Sequence, residues 1–341
     1  MSRERVAARR VRQGQTGSLR RSVWLCLLLA SLLAGCVPSG SQGSATPDPC
    51  PAGTPASSQR ARVIATVDFG ASTLFDEMVS FDEGESAMGV LRSVAEVETA
   101  YGGGFVRGIN GTGSPQRGDW FYYVNGFMAR TGAADYRLHD GDTVHWDFHD
   151  PAAYRGVSAT LGSFPLAHVN GYGGQRRATV VVYEEQFAAV AADVASVLEI
   201  SGASDVSCVE LSSLTGEQKQ SMHLIIIGGY SLEPLRDIYD SRTRLGLFTW
   251  LQDSELRTYL ASGDEDEVYR HGTGVIEALQ NPWNPSGVGV CQNVVLLLSG
   301  TDDDGVRAAA RALMEHSGQM ITWSSAIVRD GDAAPIPVPA R

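Results

Sequence analysis

The sequence has few thiols and few basic residues. Past its first 35 positions it has no apolar run long enough to cross a membrane. Its five cysteines fall at spacings that match no zinc pattern. Ser231, in "GGYSLEP", lacks the G-x-S-x-G spacing of a nucleophile elbow. No catalytic constellation remains, so the chain reads as a non-enzyme without a cofactor. Basic residues number 27 against 39 acidic ones, a net charge of −12. Residues 1–35 carry seven of the arginines and one of the acids, which leaves 20 basic and 38 acidic residues and a net of −18 beyond them. Such a field repels nucleic acid, which is not expected as a partner.

What is present begins with a leader. Seven arginines between Arg3 and Arg21 precede the apolar run "VWLCLLLASLLAG", and Cys36 follows. This is the layout of a signal peptide over residues 1–35. "LLAGC" (32–36) resembles the lipobox of bacterial lipoproteins. The resemblance implies a diacylglycerol on the Cys36 thiol, cleavage just before it, and a protein held at the outer face of the cell membrane by lipid. Residues 36–60 are rich in Pro, Ser, Gly and Thr and cannot bury a core, so they read as a disordered tether. Cys26 leaves with the leader and Cys50 sits in the tether. Cys208 and Cys291 flank predicted strands of one domain, and outside the cell they are the expected disulfide.

Two folded units are expected. Residues 61–150 give an α+β pattern. "RVIATVDFG" and "TLFDEMVSF" read as strands, and "ESAMGVLRSVAEV" carries an apolar stripe at helical spacing. "DWFYYVNGFMAR" reads as a hairpin turning on Asn125-Gly126, and "DTVHWDF" closes the unit. The order predicts a small mixed sheet on one helix, a β-grasp-like shape. Residues 151–176 lack periodicity and read as a connector. In 177–330, "ATVVVY", "HLIIIGG" and "NVVLLLSG" are near-continuous apolar runs, alternating with amphipathic segments. That predicts a layered α/β domain with a mostly parallel sheet. Residues 331–341 read as a frayed tail.

"RLHDGDTVHWDFHD" (137–150) gathers three of the seven histidines among four aspartates. On a strand, His145, Asp147 and His149 share one face, opposite Val144, Trp146 and Phe148. The alternation predicts a solvated polar face. The same geometry would let two imidazoles and a carboxylate approach one metal, but same-face neighbours about 7 Å apart are wide for one ion. No metal site is expected.

Residues 101–150, "YGGGFVRGINGTGSPQRGDWFYYVNGFMARTGAADYRLHDGDTVHWDFHD", together with "SAMGVLRSV" upstream, resemble an uncharacterised bacterial domain family. That family is related to the C-terminal domain of transcobalamin and intrinsic factor, within the soluble-ligand-binding β-grasp group. The resemblance covers about 61–150. It implies a β-grasp fold and a ligand surface at Tyr101, Gly103, Phe105, Trp120, Tyr122 and Asn125, with cobalamin or a related corrinoid as the ligand. The chain departs from transcobalamins in lacking their helical barrel domain. Alternation places Trp120, Tyr122 and Val124 on one strand face and Phe121 and Tyr123 on the other. The first face is assigned to the ligand or domain contact, and a core position for Tyr122 is the alternative. In the second domain, "IIIGGYS" (225–231) and "LLLSGTDDDG" (296–305) place small-residue loops at strand carboxyl ends, where open α/β sheets bind ligands. The expected function is a lipid-anchored surface protein that binds a small molecule for uptake. The alternative is an envelope adaptor that binds a protein or wall polymer.

Overall fold

In the computed structural model, residues 58–113, 117–151 and 156–338 are described. The leader, Cys36, Cys50 and nearly all of the tether lie outside the described residues. The described residues form one compact unit with mixed α and β structure. No helix of the described residues is long and apolar enough to cross a membrane.

The first half opens with β1 (Gln59–Val67) and β2 (Ser72–Phe81), followed by α1 (Ala87–Val94). Ser86 caps α1, its hydroxyl accepting from Gly89 N at 3.0 Å. Then come β3 (Val97–Ala100), β4 (Phe105–Ile109) and β5 (Thr112–Gly113), a small antiparallel sheet. β6 (Asp119–Val124) and β7 (Phe127–Met128) form the hairpin expected at Asn125-Gly126. Both turn residues take positive φ, 50° and 84°, as a two-residue hairpin turn requires. β8 (Thr143–His149) completes a five-stranded sheet in the order β2-β1-β8-β6-β7. β8 is parallel to β1 and antiparallel to β6. Val90 and Leu91 of α1 pack with Val63, Trp120, Val124, Val144 and Trp146 in one core cluster.

The second half contains α2 (Ser163–Asn170), β9 (Thr179–Tyr183), α3 (Ala188–Ile200), β10 (Val206–Glu210), α4 (Gly216–Ser221), β11 (His223–Ile227), α5 (Glu233–Asp240) and α6 (Arg242–Leu245). A meander follows, β12 (Thr249–Gln252), β13 (Glu255–Tyr259) and β14 (Glu265–Tyr269). The chain ends in β15 (Thr273–Gln280), β16 (Val294–Gly300), α7 (Asp303–His316), β17 (Ser325–Arg329) and β18 (Asp332–Ile336). Seven strands make one sheet, ordered β10-β9-β11-β16-β15-β17-β18. α2, α3 and α7 contribute to the core on one face, and α5, α6 and the meander to the core on the other.

The sheet is mixed and not mostly parallel. β10, β9, β11 and β16 run parallel, whereas β15, β17 and β18 add antiparallel pairings. The apolar runs mark the parallel strands. β15, "TGVIEALQ", is buried along its whole length yet carries Glu277 and Gln280, and those polar positions hide it from a hydrophobicity reading. β18 occupies part of the stretch expected as a frayed tail, and pairs with β17.

The stretch read as a connector is part of the core. Val157, Ala159, Leu161, Phe164 and Ala167 are all buried. Ala159 bridges to Phe127, and Gln280 donates to Ser158 O at 3.0 Å. Backbones here approach so closely that glycine is needed. A Cβ on Gly126 would lie 2.2 Å from Ser163 N, and one on Gly70 would lie 2.2 Å from Thr322 O.

The disulfide expected between Cys208 and Cys291 is absent, and both are free thiols. Cys208 sits on edge strand β10, while Cys291 precedes β16. β9 and β11 lie between those strands, a gap of about 14 Å at ordinary strand spacing. A disulfide needs Cα atoms within about 7 Å. Cys291 is buried instead, its Sγ 3.2 Å from Met128 O.

Candidate functional site

A glycine-rich turn after β3 builds one wall of a cleft. Tyr101, Gly102 and Gly103 have φ of 52°, 73° and 97°. Three successive left-handed residues fold the chain back into β4 and leave the Tyr101 side chain in solvent, 91% exposed. Phe105, at the start of β4, meets Tyr101 edge-on with ring centroids 6.3 Å apart. Across the cleft, Trp120 and Phe148 from β6 and β8 form the floor, with centroids 5.5 Å apart. Trp120 is nearly buried, and its Nε1–H donates to Thr112 O at 3.3 Å. The cavity measures about 410 Å³, and Arg107 and Asp119 add a charge of each sign to its wall. Such a volume lies within the range of small-molecule pockets.

Of the residues implied by resemblance, Tyr101, Phe105 and Trp120 come together in this cleft. Gly103 lies in the turn that shapes it. Tyr122 and Asn125 do not line it. Tyr122 stacks on Trp146 at 4.8 Å, and its hydroxyl donates to Thr131 O. Asn125 is fully buried. Its Nδ2 donates to Asp142 Oδ1 at 2.7 Å and to Gly171 O at 2.9 Å, while its Oδ1 accepts from Thr143 N at 2.9 Å. Asn125 therefore ties the hairpin to β8 and to the second half of the chain. Phe148, Arg107 and Asp119 join Tyr101, Phe105 and Trp120 in the cleft, with no local sequence signal to mark them. The register of β6 against β8, which sets Trp120 opposite Phe148, brings Phe148 to the cleft.

The face of β8 expected in solvent is buried. His145, Asp147 and His149 are each no more than 3% exposed, because the second half of the chain docks over them. Phe121 and Tyr123 share this face. The domain contact thus falls to the face of Phe121 and Tyr123; of the pair expected at the ligand or domain contact, Trp120 lines the cleft and both Trp120 and Tyr122 lie on the α1 side. His149 is sandwiched between Phe69 at 4.1 Å and Phe121 at 4.3 Å, and His145 stacks on Tyr123 at 5.5 Å. Phe69 in turn meets Phe248 of the second half at 5.0 Å.

Asp147 is the hub of this layer. It accepts from Thr66 Oγ1 at 2.5 Å, Phe69 N at 3.0 Å and Gly70 N at 2.9 Å, and it lies 2.6 Å from His149 Nδ1. Burial alone would raise its pKa, but the His149 hydrogen bond, the two imidazoles and the Thr66 hydroxyl hold it below the ordinary carboxyl value. Burial pushes the His145 imidazole down to about 4, against the pull of Asp147. His145 Nδ1 and His149 Nε2 are buried without hydrogen-bond partners. Among the described residues, no group of three or more His, Cys, Asp or Glu side chains is placed to hold a metal ion.

The two small-residue loops of the second half do converge. Glu184 after β9, Gly229 and Ser231 after β11, and Gly300 to Asp303 after β16 line one cavity of about 350 Å³. Glu184 Oε2 accepts from Gly229 N at 3.0 Å, and Asp302 caps α7 through Gly305 N at 2.9 Å. Asp302, Asp303 and Asp304 thus cap and flank the start of the helix.

Residues 84–150 match the model of a family described as "Domain of unknown function (DUF4430)". No curated protein matches the chain. Among solved structures, a "putative metal binding protein" from Ruminococcus gnavus is similar to it. Identity is 16%, over 27% of this chain and 97% of that one, with a TM-score of 0.22.

Proposed function

We propose that this protein is a non-enzymatic, lipid-anchored binding protein of the outer membrane face. Its ligand site is the cleft between the Tyr101–Gly103 turn and the floor formed by Trp120 and Phe148. That cleft is the observation that carries the reading. Three aromatic residues singled out by the resemblance line one cavity of suitable size, with Arg107 and Asp119 offering polar contacts. A flat ligand with an apolar face and a polar edge suits such walls, and a corrinoid such as cobalamin is the first candidate.

Residues 61–150 are proposed to be a β-grasp domain related to the transcobalamin and intrinsic factor C-terminal domain. The mixed sheet with β1 parallel to β8, crossed by α1, supports that assignment, as does the family match at 84–150. The lipid is placed on Cys36. Replacing Cys36 with Ser should abolish fatty-acid labelling and release the protein from membranes; a labelled, membrane-bound Cys36→Ser variant would refute the anchor.

Equilibrium titration with cobalamin, cobinamide and haem tests the ligand. Saturable binding that weakens at least tenfold in Trp120→Ala or Phe105→Ala supports the cleft. Affinity no better than millimolar for all three, about 4 kcal/mol, sinks the uptake role.

A second reading, an envelope adaptor, draws on β2. This ten-residue edge strand packs Phe75, Val79 and Phe81 on the core and turns its other face outward, with Leu74 40% and Met78 52% accessible. Retention of the chain on isolated envelope, with no small-molecule binding, would favour the adaptor.

A further inference from the structure

A second cavity lies where the turn before β8 meets the second half of the chain. It measures about 290 Å³ and is separate from the aromatic cleft, with which it shares no residue. Arg130, Arg137 and His139 line it together with the ring systems of Tyr136 and Tyr172. The chain carries an excess of acid, and Arg62, Arg117, Arg257, Arg270 and Arg307 all pair with carboxylates. Arg130 and Arg137 make no ion pair among the described residues. Other arginines are also unpaired, but these two share one cavity wall. The Arg137 guanidinium is steadied from behind, its Nη1 donating to Ala134 O at 3.1 Å.

Hydrogen bonds among the other wall residues fix the site. Tyr136 Oη donates to Asp142 Oδ2 at 3.1 Å and accepts from Gly173 N at 3.1 Å. Tyr172 Oη lies 3.3 Å from Thr131 Oγ1. Two carboxylates oppose an anion here. Asp142 lies behind the wall, its oxygens already engaged by Asn125, Tyr136 and His139 N. Asp135 is on the wall itself, so the two arginines outnumber it.

We infer that this cavity binds a small molecule bearing an oxyanion, a carboxylate or a phosphate. Guanidinium groups offer planar, paired donors that match such oxygens, and they remain charged at any working pH. The tyrosine rings supply apolar walls for a short carbon skeleton. A volume of this size sits at the small end of ligand pockets, which excludes a bulky ligand. The site joins the two halves of the chain, since Arg130 to His139 come from the first and Tyr172 to Gln292 from the second. Its occupant would bridge them.

The test is calorimetric titration of the full chain, in detergent, with inorganic phosphate and separately with succinate. One saturable site is expected for at least one of them. The double variant Arg130→Gln with Arg137→Gln should weaken it at least tenfold. Both side chains are exposed, so the melting temperature of that variant should stay unchanged without anion. Phe105→Ala, at the exposed rim of the aromatic cleft, should leave anion binding intact, which separates this site from the one proposed above. Binding of phosphate alone points to a phosphate ester, and binding of succinate alone to a carboxylate. Saturation by neither anion, or undiminished binding by the double variant, overturns the inference.

Discussion

His149 Nδ1 lies 2.6 Å from the Asp147 carboxylate, and the imidazole is held flat between the rings of Phe69 and Phe121. Both partners of this pair are at least 98% buried. Removing one leaves the other uncompensated in a dry layer. Asp147→Ala should destabilise the protein by about 3–5 kcal/mol, read from urea unfolding, because it also orphans Phe69 N and Gly70 N. His149→Ala should cost nearly as much. A loss below about 1 kcal/mol would mean that water enters the layer.

Acidification should weaken the fold through its buried histidines. Burial holds His145 down to about 4 and His168 to about 3, both from an ordinary 6.5. Each is neutral in the folded chain, while the unfolded chain takes up a proton near pH 6.5. Their stability is therefore fully present above pH 6.5 and is lost as pH falls toward 4. Each histidine contributes at most about 3 kcal/mol to that loss. Unfolding midpoints at pH 7, 6, 5 and 4.5 should fall steadily, and His145→Asn should flatten the slope. Equal midpoints across this range would refute the buried neutral state.

Glu277 works in the opposite direction. It sits on β15 between Val275 and Leu279, accepting from the Thr249 hydroxyl. Burial pushes it up to about 7 from an ordinary 4.5, against the lowering influence of Thr249, Tyr239 and Arg242. Its favourable share of stability is complete below pH 4.5 and is lost as pH rises through 7. Glu277→Gln should therefore raise stability at pH 8 by about 2 kcal/mol relative to its effect at pH 5. A variant destabilised equally at both values would show that Glu277 is ionised at neutral pH and paired.

Tyr122 belongs to the core side of its strand. Tyr122→Ala should cost about 3 kcal/mol of stability, the scale of emptying an aromatic site, and leave cleft binding largely unchanged in the surviving folded fraction. Phe105→Ala should do the reverse. Thermal melts and ligand titration on the two variants check the split.

The alternation of polar and apolar residues reported strand existence and phase correctly in the first half, including the two-residue turn at Asn125-Gly126. It failed on what each face meets. "HWDFH" alternates as a strand with one wet side would, and nothing local distinguishes water from a docked second layer. The aromatic content of the polar face was the available signal: Phe121 and Tyr123 opposite His145 and His149 form a stacking layer too large to leave in solvent. The glycine turn before β4 was legible as a turn, but the cleft it makes depends on Phe148, which only strand pairing brings to Trp120. In the second half, unbroken apolar runs revealed the parallel strands. β15 escaped because Glu277 and Gln280 are satisfied by partners far along the chain, Thr249 and Ser158.

The hydrogen-bonded layer behind β8 also limits how this domain can be borrowed. The matched segment spans 84–150, yet its rear face is answered on both sides of it: Thr66, Phe69 and Gly70 before it meet Asp147, and Phe248 and Gly171 after it meet Phe69 and Asn125. A copy of residues 58–151 moved to another chain would display stacked histidines and phenylalanines to water, with Asn125 missing its Gly171 acceptor. Thr66, Phe121, His145 and His149, more than the cleft residues, therefore fit this domain to the neighbour it has in this chain.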